Sequence, residues 1–417
     1  MKVLHLSTYD QGGAAKASIR LHEGLLKEGV NSKILFKVKT QPIVNSFQIP
    51  NISLKQWIEN KLKRLGKILK IIPIDEHTEG EILKVQRQRH GLGLLTLPTS
   101  HFDLIQSPLY QEADIIHLHW VANFLDWKTF FAKNTKPIVW TLHDQNPFLG
   151  IEHYAERFIG VDENGAPIPR KYTEIELRES EYWLNYKKKC LQNVKNLHIV
   201  TPSQWLLNCS KSSELFAQYP HYHIPYGFPT DIFKPLDQKT CREILGLPLD
   251  KKIILFVADS VENTRKGFAF LKKALENLRN ENLCLCAIGS KTQLQQHKNL
   301  IELGKIVDER LMAMAYSAAD VFVIPSLEDN LPNTMIEALL CGTPVIGFPT
   351  GGIVEVLRNG ENGYICKEIS VQSLQLNIEK FLANFTIFNR KQIFSTTLNL
   401  YALEVQAKRY IQLYQNI

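Results

Sequence analysis

The sequence of 417 residues has no apolar run near the roughly 20 residues that a membrane-spanning helix requires. It has no Cys-x-x-Cys pair, and its 7 cysteines are an odd number, so we expect reduced structural cysteines rather than disulfides or a zinc site. No apolar secretory segment with a small-residue cleavage site follows Met1, so we expect no secretory leader, and no internal repeat of about 20 to 50 residues is found. These absences exclude membrane-spanning, secreted disulfide-rich and repeat proteins, and we expect the chain to begin at Met1 in the cytoplasm.

The composition is that of a globular protein, with 44% hydrophobic and 22% charged residues. Its length predicts two domains, each of about 200 residues. The net charge of +7 comes from 49 basic against 42 acidic residues, a modest excess that suits an acidic substrate or a membrane surface and does not require nucleic acid. We therefore predict no nucleic-acid partner.

Residues 54–72 contain six lysines and arginines and only one acidic residue, Glu59. Apolar residues recur there at helical spacing, and the cations lie mostly on the opposite face. This pattern predicts an amphipathic basic helix. Such a helix can dock on an anionic membrane, at the inner face of the plasma membrane, or pack its apolar face on the domain, and the sequence leaves both interpretations open.

Apolar strand-like runs alternate with helical patterns along the chain, which is typical of parallel βα units. The first series of predicted strands is Val3–Ser7, Ile34–Phe36, Ile115–His119, Pro137–Thr141 and Leu197–Thr201. The second series is Ile253–Ala258, Leu283–Ile288, Val321–Pro325 and Pro344–Phe348. The fold class predicted is α/β, with two Rossmann-like, doubly wound domains.

A Pro/Gly-rich stretch, Ile224–Pro229, separates the two series and predicts a hinge. We predict a first, acceptor-side domain at 1–226, a second, donor-binding domain at 227–395, and a helix at 396–417 that crosses back to the first domain. Open parallel sheets bind ligands at the carboxyl ends of their strands, so two such sheets facing each other create a central cleft.

The most informative segment is Pro325–Pro344, which runs from a strand through an acidic loop into a helix. A helix that starts near Thr334 would aim free N–H groups at a diphosphate. Carboxylates suit hydroxyl groups, so Glu337 would bind a ribose and Asp329 or Glu328 a sugar. The alternative is that Thr334 and Glu337 form a capping box, with Glu337 bonded to its own backbone.

This segment resembles the signature of glycosyltransferase family 4, retaining enzymes of the GT-B fold. Their motif places two acids eight positions apart before Ala-x-x-x-Gly-Thr-Pro, the spacing of Asp329 and Glu337. The family usually has Glu first, so Glu328 remains an alternative to Asp329. The usual Gly-Phe-Gly is replaced by Asn-Leu-Pro, and proline has no N–H, so phosphate contacts are expected through Asn333 and Thr334.

Glycines and histidines at predicted strand ends extend the resemblance into the first domain. Gly12 and Gly13 follow the first strand, where backbone can approach a donor closely, although an ordinary turn is equally typical. The resemblance implies that His119 contacts the donor sugar, whereas His117 fits a structural role. The two histidines lack a nearby acid or cysteine that would complete a zinc site, so we predict no metal.

His143 and Asp144 end the next strand. They could orient an acceptor hydroxyl, and Asp144 could instead cap the following turn. In the second domain, the resemblance implies that Lys266 and Arg265 neutralise the departing diphosphate. The family usually has an arginine soon after this strand, where this sequence has Asp259, so Arg265 would supply the missing positive charge.

Two glycine-containing stretches complete the candidate site. The resemblance implies that Gly304, Lys305 and Ile306 pack against the nucleotide base. The stretch that begins at Gly351 and Gly352 resembles the family's helix start after the Gly-Thr-Pro strand. Both stretches could also be plain turns.

We therefore expect a metal-independent, cofactor-free glycosyltransferase that moves a sugar from a UDP- or GDP-sugar to a hydroxyl of a glycan or lipid-linked acceptor, in surface polysaccharide synthesis. The alternatives are a nucleotide-sugar epimerase, a phosphorylase and a non-catalytic nucleotide-sugar-binding subunit. The sequence has no Gly-x-Gly-x-x-Gly after a strand and no Walker A lysine, which disfavours a dinucleotide oxidoreductase and an ATPase.

Overall fold

A computed structural model describes residues 1–50, 79–89, 91–278, 280–290 and 299–417. The predicted basic helix at 54–72 lies outside these residues. Among the described helices, none is long and apolar enough to cross a membrane. All seven cysteines are free, and most are buried.

The first domain is built on a parallel sheet of seven strands in the order β3-β2-β1-β4-β5-β8-β9. Its strands are β1 (Lys2–Tyr9), β2 (Asn31–Val38), β3 (Ser46–Gln48), β4 (Ile115–Leu118), β5 (Ile138–Thr141), β8 (Leu197–Thr201) and β9 (His221–His223). Its helices are α1 (Gly13–Lys27), α2 (Glu79–Gln88), α3 (Pro108–Glu112), α4 (Trp127–Lys133), α5 (Glu174–Leu191) and α6 (Gln204–Lys211).

The second domain has a parallel sheet of six strands in the order β12-β11-β10-β13-β14-β15. Its strands are β10 (Lys252–Ser260), β11 (Leu283–Ser290), β12 (Leu300–Gly304), β13 (Val321–Ile324), β14 (Val345–Gly347) and β15 (Gly363–Ile365). Its helices are α7 (Gln238–Leu245), α8 (Phe268–Leu278), α9 (Glu309–Ala318), α10 (Asn333–Leu340), α11 (Ile353–Val356), α12 (Val371–Asn384) and α13 (Arg390–Tyr401).

The prediction of two doubly wound α/β domains is confirmed. The central strands β4, β5 and β13 are buried along their whole length, as continuous apolar runs between two helical layers require. The predicted strands all form, and the described strands of the two large sheets that the pattern missed are the edge strands. Those strands are β3, β9, β12 and β15, where short length and partial exposure remove the apolar signal.

The C-terminal helical pattern is two helices rather than one continuous helix. Helix α13 stays on the second domain, where Arg390 donates to the carbonyl of Ser317. The chain then becomes extended at Ala402, and α14 (Leu403–Gln415) follows. Tyr410 and Tyr414 of α14 join a buried cluster of the first domain, so the chain returns to that domain at Ala402.

An antiparallel pair, β6 (Phe158–Val161) and β7 (Pro167–Pro169), lies outside both large sheets. It belongs to residues 151–172, which we call the arm. The arm leaves the first domain and contacts the second, where the N–H of Val371 donates to the carbonyl of Gly165 over 2.8 Å. The arm therefore spans the cleft beside the hinge.

A buried network of four charged side chains supports the arm. It pairs two arginines with two glutamates, each almost fully removed from solvent: Arg89, Arg170, Glu156 and Glu176. Buried charges are costly unless each has a partner of opposite sign, and here every member has two. The network fixes the arm on the first domain.

Candidate active site

Most of the predicted site residues lie where β1, β4 and β5 end in the first domain and where β10 and β13 end in the second. Glu337 lies inside α10, and residues 304–306 lie at the end of β12. The strands of each sheet are parallel, so their carboxyl ends meet at one edge, and the two edges face each other across the cleft. Ion pairs and hydrogen bonds described below join the two domains directly across the cleft.

Asp329 is paired with two cations of the loop after β10. Its carboxylate lies 2.6 Å from the Nζ atom of Lys266 and 3.3 Å from Nη1 of Arg265. Burial alone would raise the pKa of Asp329, but the charges of Lys266 and Arg265 hold it below its ordinary value. Asp329 is therefore an anion that gathers positive charge at the mouth of the second domain.

Glu328 forms no ion pair with these cations, and its carboxylate is hydrogen bonded to the arm. Its carboxylate accepts hydrogen bonds from the N–H groups of Glu156, at 2.8 Å, and Ala155, at 3.4 Å. Burial raises the pKa of Glu328, and these hydrogen bonds oppose that shift. The two candidates for the first acid are thus distinguished by geometry, because Asp329 faces the cations and Glu328 joins the domains.

Two glycines hold the acid loop against its neighbours. At Gly267, with φ of 70°, an added Cβ would lie 1.8 Å from the carbonyl oxygen of Pro325. At Gly351, with φ of 50°, it would lie 1.6 Å from the carbonyl oxygen of Asp329. Only glycine allows both the left-handed backbone and these approaches, so the two glycines fix the position of Asp329.

Glu337 is buried in α10 and does not cap its own helix. One carboxylate oxygen lies 2.7 Å from Nη2 of Arg20, and the other accepts a hydrogen bond of 2.9 Å from the hydroxyl of Tyr316. The N-cap residue of α10 is Pro332, without a side-chain cap, so the capping-box alternative is not observed. The N-terminal N–H groups of α10 have no capping side chain.

Arg20 comes from α1 of the first domain, and the sequence argument did not identify it. A signal was available, because Arg20 lies with Ala17, Leu21 and Gly24 on the buried face of α1. A cation at a position that the helical period assigns to the core requires a buried anion. That anion is Glu337.

Asn333 and Gly13, which the sequence placed separately at the donor, meet across the cleft. The side-chain amide of Asn333 donates to the carbonyl of Gly13 over 2.9 Å. Gly12, with φ of 93°, is the N-cap residue of α1. Thr334 follows Asn333 in the first turn of α10 and is half-buried. The N-termini of α1 and α10 therefore face the same part of the cleft.

His119 lies inside a chain of hydrogen-bonded rings. Its Nε2 is 2.9 Å from Nδ1 of His5, and its Nδ1 is 3.1 Å from Nε2 of His143. His143 in turn lies 2.8 Å from the hydroxyl of Tyr226 in the hinge. Burial lowers the pKa of His119 well below its ordinary value and that of His143 to about 4, so both rings are neutral at pH 7.

His117 lies on the same face of β4 as His119, and the centroids of the two rings are 4.2 Å apart. The two ring nitrogens of His117 lie 2.6 Å from the hydroxyl of Tyr414 and 2.7 Å from that of Thr141. His5, His117 and His119 are close enough to hold a metal ion, with ligand atoms within 4.8 Å of one another. Five of their six ring nitrogens already have protein partners, so a metal would have to break those hydrogen bonds.

Asp144 is occupied by the first domain. One oxygen caps the following turn by accepting from the N–H of Asn146 at 3.0 Å, and the other bonds Trp120 and His153 at 2.9 and 2.6 Å. Asp144 and His143 line a pocket whose other walls are mostly apolar and aromatic. The main aromatic residues are Trp120, Trp127 and Trp140.

Gly304, Lys305 and Ile306 lie farther from the acid loop than the other candidates. They follow β12, the edge strand, which β11 and β10 separate from β13. Lys305 is exposed and Ile306 is half-buried. The structure does not bring them together with Asp329, although the helix that follows them carries Glu309, a second partner of Arg20 at 2.6 Å.

The arm places an aromatic side chain, Tyr154, against one of the two cations that pair with Asp329. The guanidinium carbon of Arg265 lies 4.3 Å from the ring centroid of Tyr154. Nη1 of Arg265 also donates to the carbonyl of Glu328 over 2.7 Å. Burial, followed by the charge of Asp329, raises the pKa of Tyr154, so its hydroxyl stays protonated. Tyr154 and the arm were not identified from the sequence.

Two doubly wound parallel domains facing a cleft, with the chain returning to the first, define the GT-B fold. The sucrose-phosphate synthase of Thermosynechococcus elongatus superimposes with a TM-score of 0.67 at 18% identity, covering 100% of this chain and 99% of that chain. The Anabaena protein HepE in complex with UDP and glucose superimposes with a TM-score of 0.64 at 15% identity, covering 100% of both chains. These similarities show the fold.

Residues 251–384 match the family model described as Glycosyl transferases group 1. The D-inositol 3-phosphate glycosyltransferase 2 of Catenulispora acidiphila is 30% identical over 156 residues, 33% of this chain and 36% of that relative. The D-inositol 3-phosphate glycosyltransferase of Mycobacterium tuberculosis is 27% identical over 151 residues, 33% of this chain and 31% of that relative. The chain spans about a third of the length of these curated relatives. Residues 251–384 are therefore similar to the group 1 glycosyl transferases, and this matched region contains the acid loop that carries the family resemblance.

Proposed function

We propose that this chain is a retaining glycosyltransferase that moves a sugar from a nucleoside-diphosphate sugar to a hydroxyl of a glycan or lipid-linked acceptor. The observation that carries the proposal is the convergence of Lys266 and Arg265 on Asp329 at the mouth of the cleft. A sugar diphosphate offers anionic oxygens to the cations and hydroxyl groups to the carboxylate. The cations for the diphosphate and the carboxylate for the sugar hydroxyls therefore lie side by side at the mouth of the cleft.

The diphosphate would lie between the cation pair and the N-terminus of α10. Its N-terminal N–H groups carry the positive end of the helix dipole. Negative charge develops on the diphosphate when the anomeric C–O bond breaks, so groups aimed there stabilise the transition state most. Lys266 and Arg265 would exchange part of their contact with Asp329 for contact with phosphate oxygens.

The sugar would lie between Asp329 and the ring chain of the first domain. In the structure His119 has partners on both nitrogens, so a sugar hydroxyl would have to replace His5 or His143 as its partner. Glu337 would accept hydrogen bonds from the ribose hydroxyls, since two of the roughly four acceptor positions of a carboxylate remain after Arg20 and Tyr316.

The chemical step balances without a metal or a protein nucleophile. The bond from the anomeric carbon to the diphosphate oxygen breaks, and the acceptor oxygen attacks that carbon from the same face. The proton of the acceptor hydroxyl moves to the departing diphosphate. His143 and Asp144 would orient the acceptor hydroxyl, and the half-buried ring of Trp120, which donates to Asp144, would contact the apolar face of an acceptor sugar.

Contact with an anionic membrane through residues 54–72 is a further part of the proposal, supported by the sequence pattern alone. Flotation with vesicles that contain anionic lipid tests it. Binding that weakens as salt rises supports electrostatic docking, and no binding at moderate salt contradicts it.

A donor screen followed by an acceptor assay tests the whole proposal. Thermal-shift measurements with UDP-, GDP- and ADP-sugars identify the donor, because a ligand that binds the folded state raises its stability. Sugar transfer to a glycan or lipid-linked acceptor, with release of the nucleoside diphosphate and retained anomeric configuration, supports it. Interconversion of the donor sugar without an acceptor would identify an epimerase, and saturable binding without transfer or hydrolysis would identify a binding subunit.

A further inference from the structure

Arg20 belongs to the first domain and is paired inside the second. Its guanidinium is 3% exposed, and Nη2 lies 2.7 Å from Oε1 of Glu337 and 2.6 Å from Oε1 of Glu309. The rings of Phe228, in the hinge, and Phe233, just after it, lie 4.7 and 5.2 Å from its guanidinium carbon. Both ion pairs therefore cross the domain boundary, next to the hinge.

The environment of Arg20 keeps it charged. Burial on its own lowers the pKa of Arg20, but Glu337 and then Glu309 raise it above its ordinary value. A buried guanidinium needs an anion close by, and the side chain of Glu337 is 4% exposed while that of Glu309 is 25% exposed. The pair with Glu337 is consequently the one that solvent screens least.

The contacts of Glu337 fix the direction of its carboxylate. Arg20 holds one oxygen from the first domain, and the hydroxyl of Tyr316 holds the other from α9. Two fixed partners on two different oxygens leave the plane of the carboxylate little freedom. The remaining acceptor positions then have a defined direction, as the recognition of a vicinal diol requires.

We propose that Arg20 is a positioning residue for ribose recognition, which holds the carboxylate of Glu337 in the correct orientation only when the two domains are in contact. This inference rests on the proposed function, because it takes Glu337 as the ligand of the nucleotide ribose. The second domain supplies the carboxylate, and the first domain supplies the cation that orients it. Nucleotide recognition and domain closure are thereby coupled through one side chain.

The test compares a nucleoside diphosphate with its 2′-deoxy form, because only the first presents the full diol. Affinities of UDP and 2′-deoxy-UDP, or of GDP and 2′-deoxy-GDP if guanine is the preferred base, are measured by calorimetry. The proteins are the wild type, Arg20→Met, Glu337→Gln and the double variant. Lys33→Met serves as the control, since it removes an exposed ion pair of 2.7 Å with Glu112 in the first domain.

We expect the wild type and Lys33→Met to prefer the ribonucleotide by about tenfold, the value of one good charge-assisted hydrogen bond. In Arg20→Met the preference should fall to about threefold or less, mainly through weaker binding of the ribonucleotide. The double variant should lose no more preference than Glu337→Gln, because Arg20 acts through Glu337. If Arg20→Met does not fold, Arg20→Lys, whose ammonium has no rigid fork, should show an intermediate preference.

The outcomes separate the inference from its premise. A full ribose preference in Arg20→Met, together with a lower melting temperature, would show that the ion pair is merely structural and would overturn the inference. A wild type that binds both forms equally would remove the ribose role of Glu337. A wild type that binds no nucleoside diphosphate at all would overturn the proposed function itself.

Discussion

The two faces of the cleft use opposite electrostatics. On the second domain, the carboxylate of Asp329 forms ion pairs with Lys266 at 2.6 Å and with Arg265 at 3.3 Å. On the first domain, His119 and His143 are stacked, hydrogen-bonded rings whose pKa values burial lowers. One face is suited to a charged leaving group and the other to neutral hydroxyl groups.

This difference shows how one cleft can bind a doubly charged donor without trapping it. Charges that are already paired inside the protein exchange one partner for another when a diphosphate arrives, so desolvation is largely complete beforehand. The neutral rings add directional hydrogen bonds and no net charge. The predictions below test each face separately.

The largest effect is expected from the charged face. Lys266→Ala removes the cation nearest to Asp329 and to the proposed diphosphate, and we expect kcat/KM for sugar transfer to fall about 100- to 1000-fold. Steady-state kinetics with the identified donor measure this. Lys272→Ala is the matched control, because Lys272 is an exposed lysine of α8 in an i,i+4 pair with Glu276. A loss of less than about tenfold for Lys266→Ala would contradict the assignment.

The two neighbouring acids provide the next comparison. Asp329→Asn removes the anion between Lys266 and Arg265, and a lost charge-assisted hydrogen bond predicts a fall in kcat/KM of about 30-fold. Glu328→Gln keeps an oxygen that can accept from the N–H of Glu156, so we expect a fall of about threefold or less. Equal losses would show that geometry does not distinguish the two acids.

The neutral face predicts loss of stability in acid. Burial lowers the pKa values of His5, His117 and His119 well below the ordinary value and that of His143 to about 4. Between about pH 6.5 and pH 4 the unfolded chain binds protons that the folded chain does not. The free energy of unfolding must therefore fall as the pH drops through this window.

Urea denaturation at about pH 7 and about pH 5 measures that fall. His143→Gln removes one titrating ring and keeps a side chain that forms hydrogen bonds, so its stability should depend less on pH than that of the wild type. Two parallel pH profiles would show that His143 does not contribute.

The smallest effect is expected at the contact between the arm and the charged face. Tyr154→Ala removes the ring that stacks on Arg265, and a cation–π contact of this kind predicts a rise in donor KM of about three- to tenfold. Tyr154→Phe keeps the ring and should behave like the wild type within about twofold. If both variants raise KM equally, the hydroxyl rather than the stacked ring is responsible.

The residues of the charged face come from two short continuous segments, one with Arg265 and Lys266 and one with Asp329, so the sequence could point to each of them. Strand, acid loop and helix follow in order from Pro325 to Pro344, so local pattern and family resemblance act on the same residues. Lys266 could be identified because the family that the sequence resembles usually has a lysine directly before this glycine, Gly267. The sequence could place Gly13 and Asn333 at the same cleft, but it could not predict that they touch, since it does not give the distance between the domains.

The neutral face and the arm could not be predicted in the same way. The ring chain joins His5, His119, His143 and Tyr226, which lie on β1, after β4, after β5 and in the hinge. Such contacts depend on strand order and on the register between β1 and β4, which places His5 beside His117. The arm has short strands with little apolar periodicity, so it gives no local signal, and its partner Glu328 was interpreted only as a possible sugar ligand.

The hinge has one property that bears on motion and on protein engineering. At Phe228 the chain enters the second domain, and at Ala402 it leaves, and the two crossings are hydrogen bonded to each other through the N–H of Phe228 and the N–H of Leu403. Because the two crossings are hydrogen bonded to each other, rotation of the domains about the line through them keeps both hydrogen bonds, whereas sliding of the domains past each other would break them. A fluorescent probe attached after Ile417 would consequently travel with the first domain, and pairing it with a probe on α12 would report the swing angle directly.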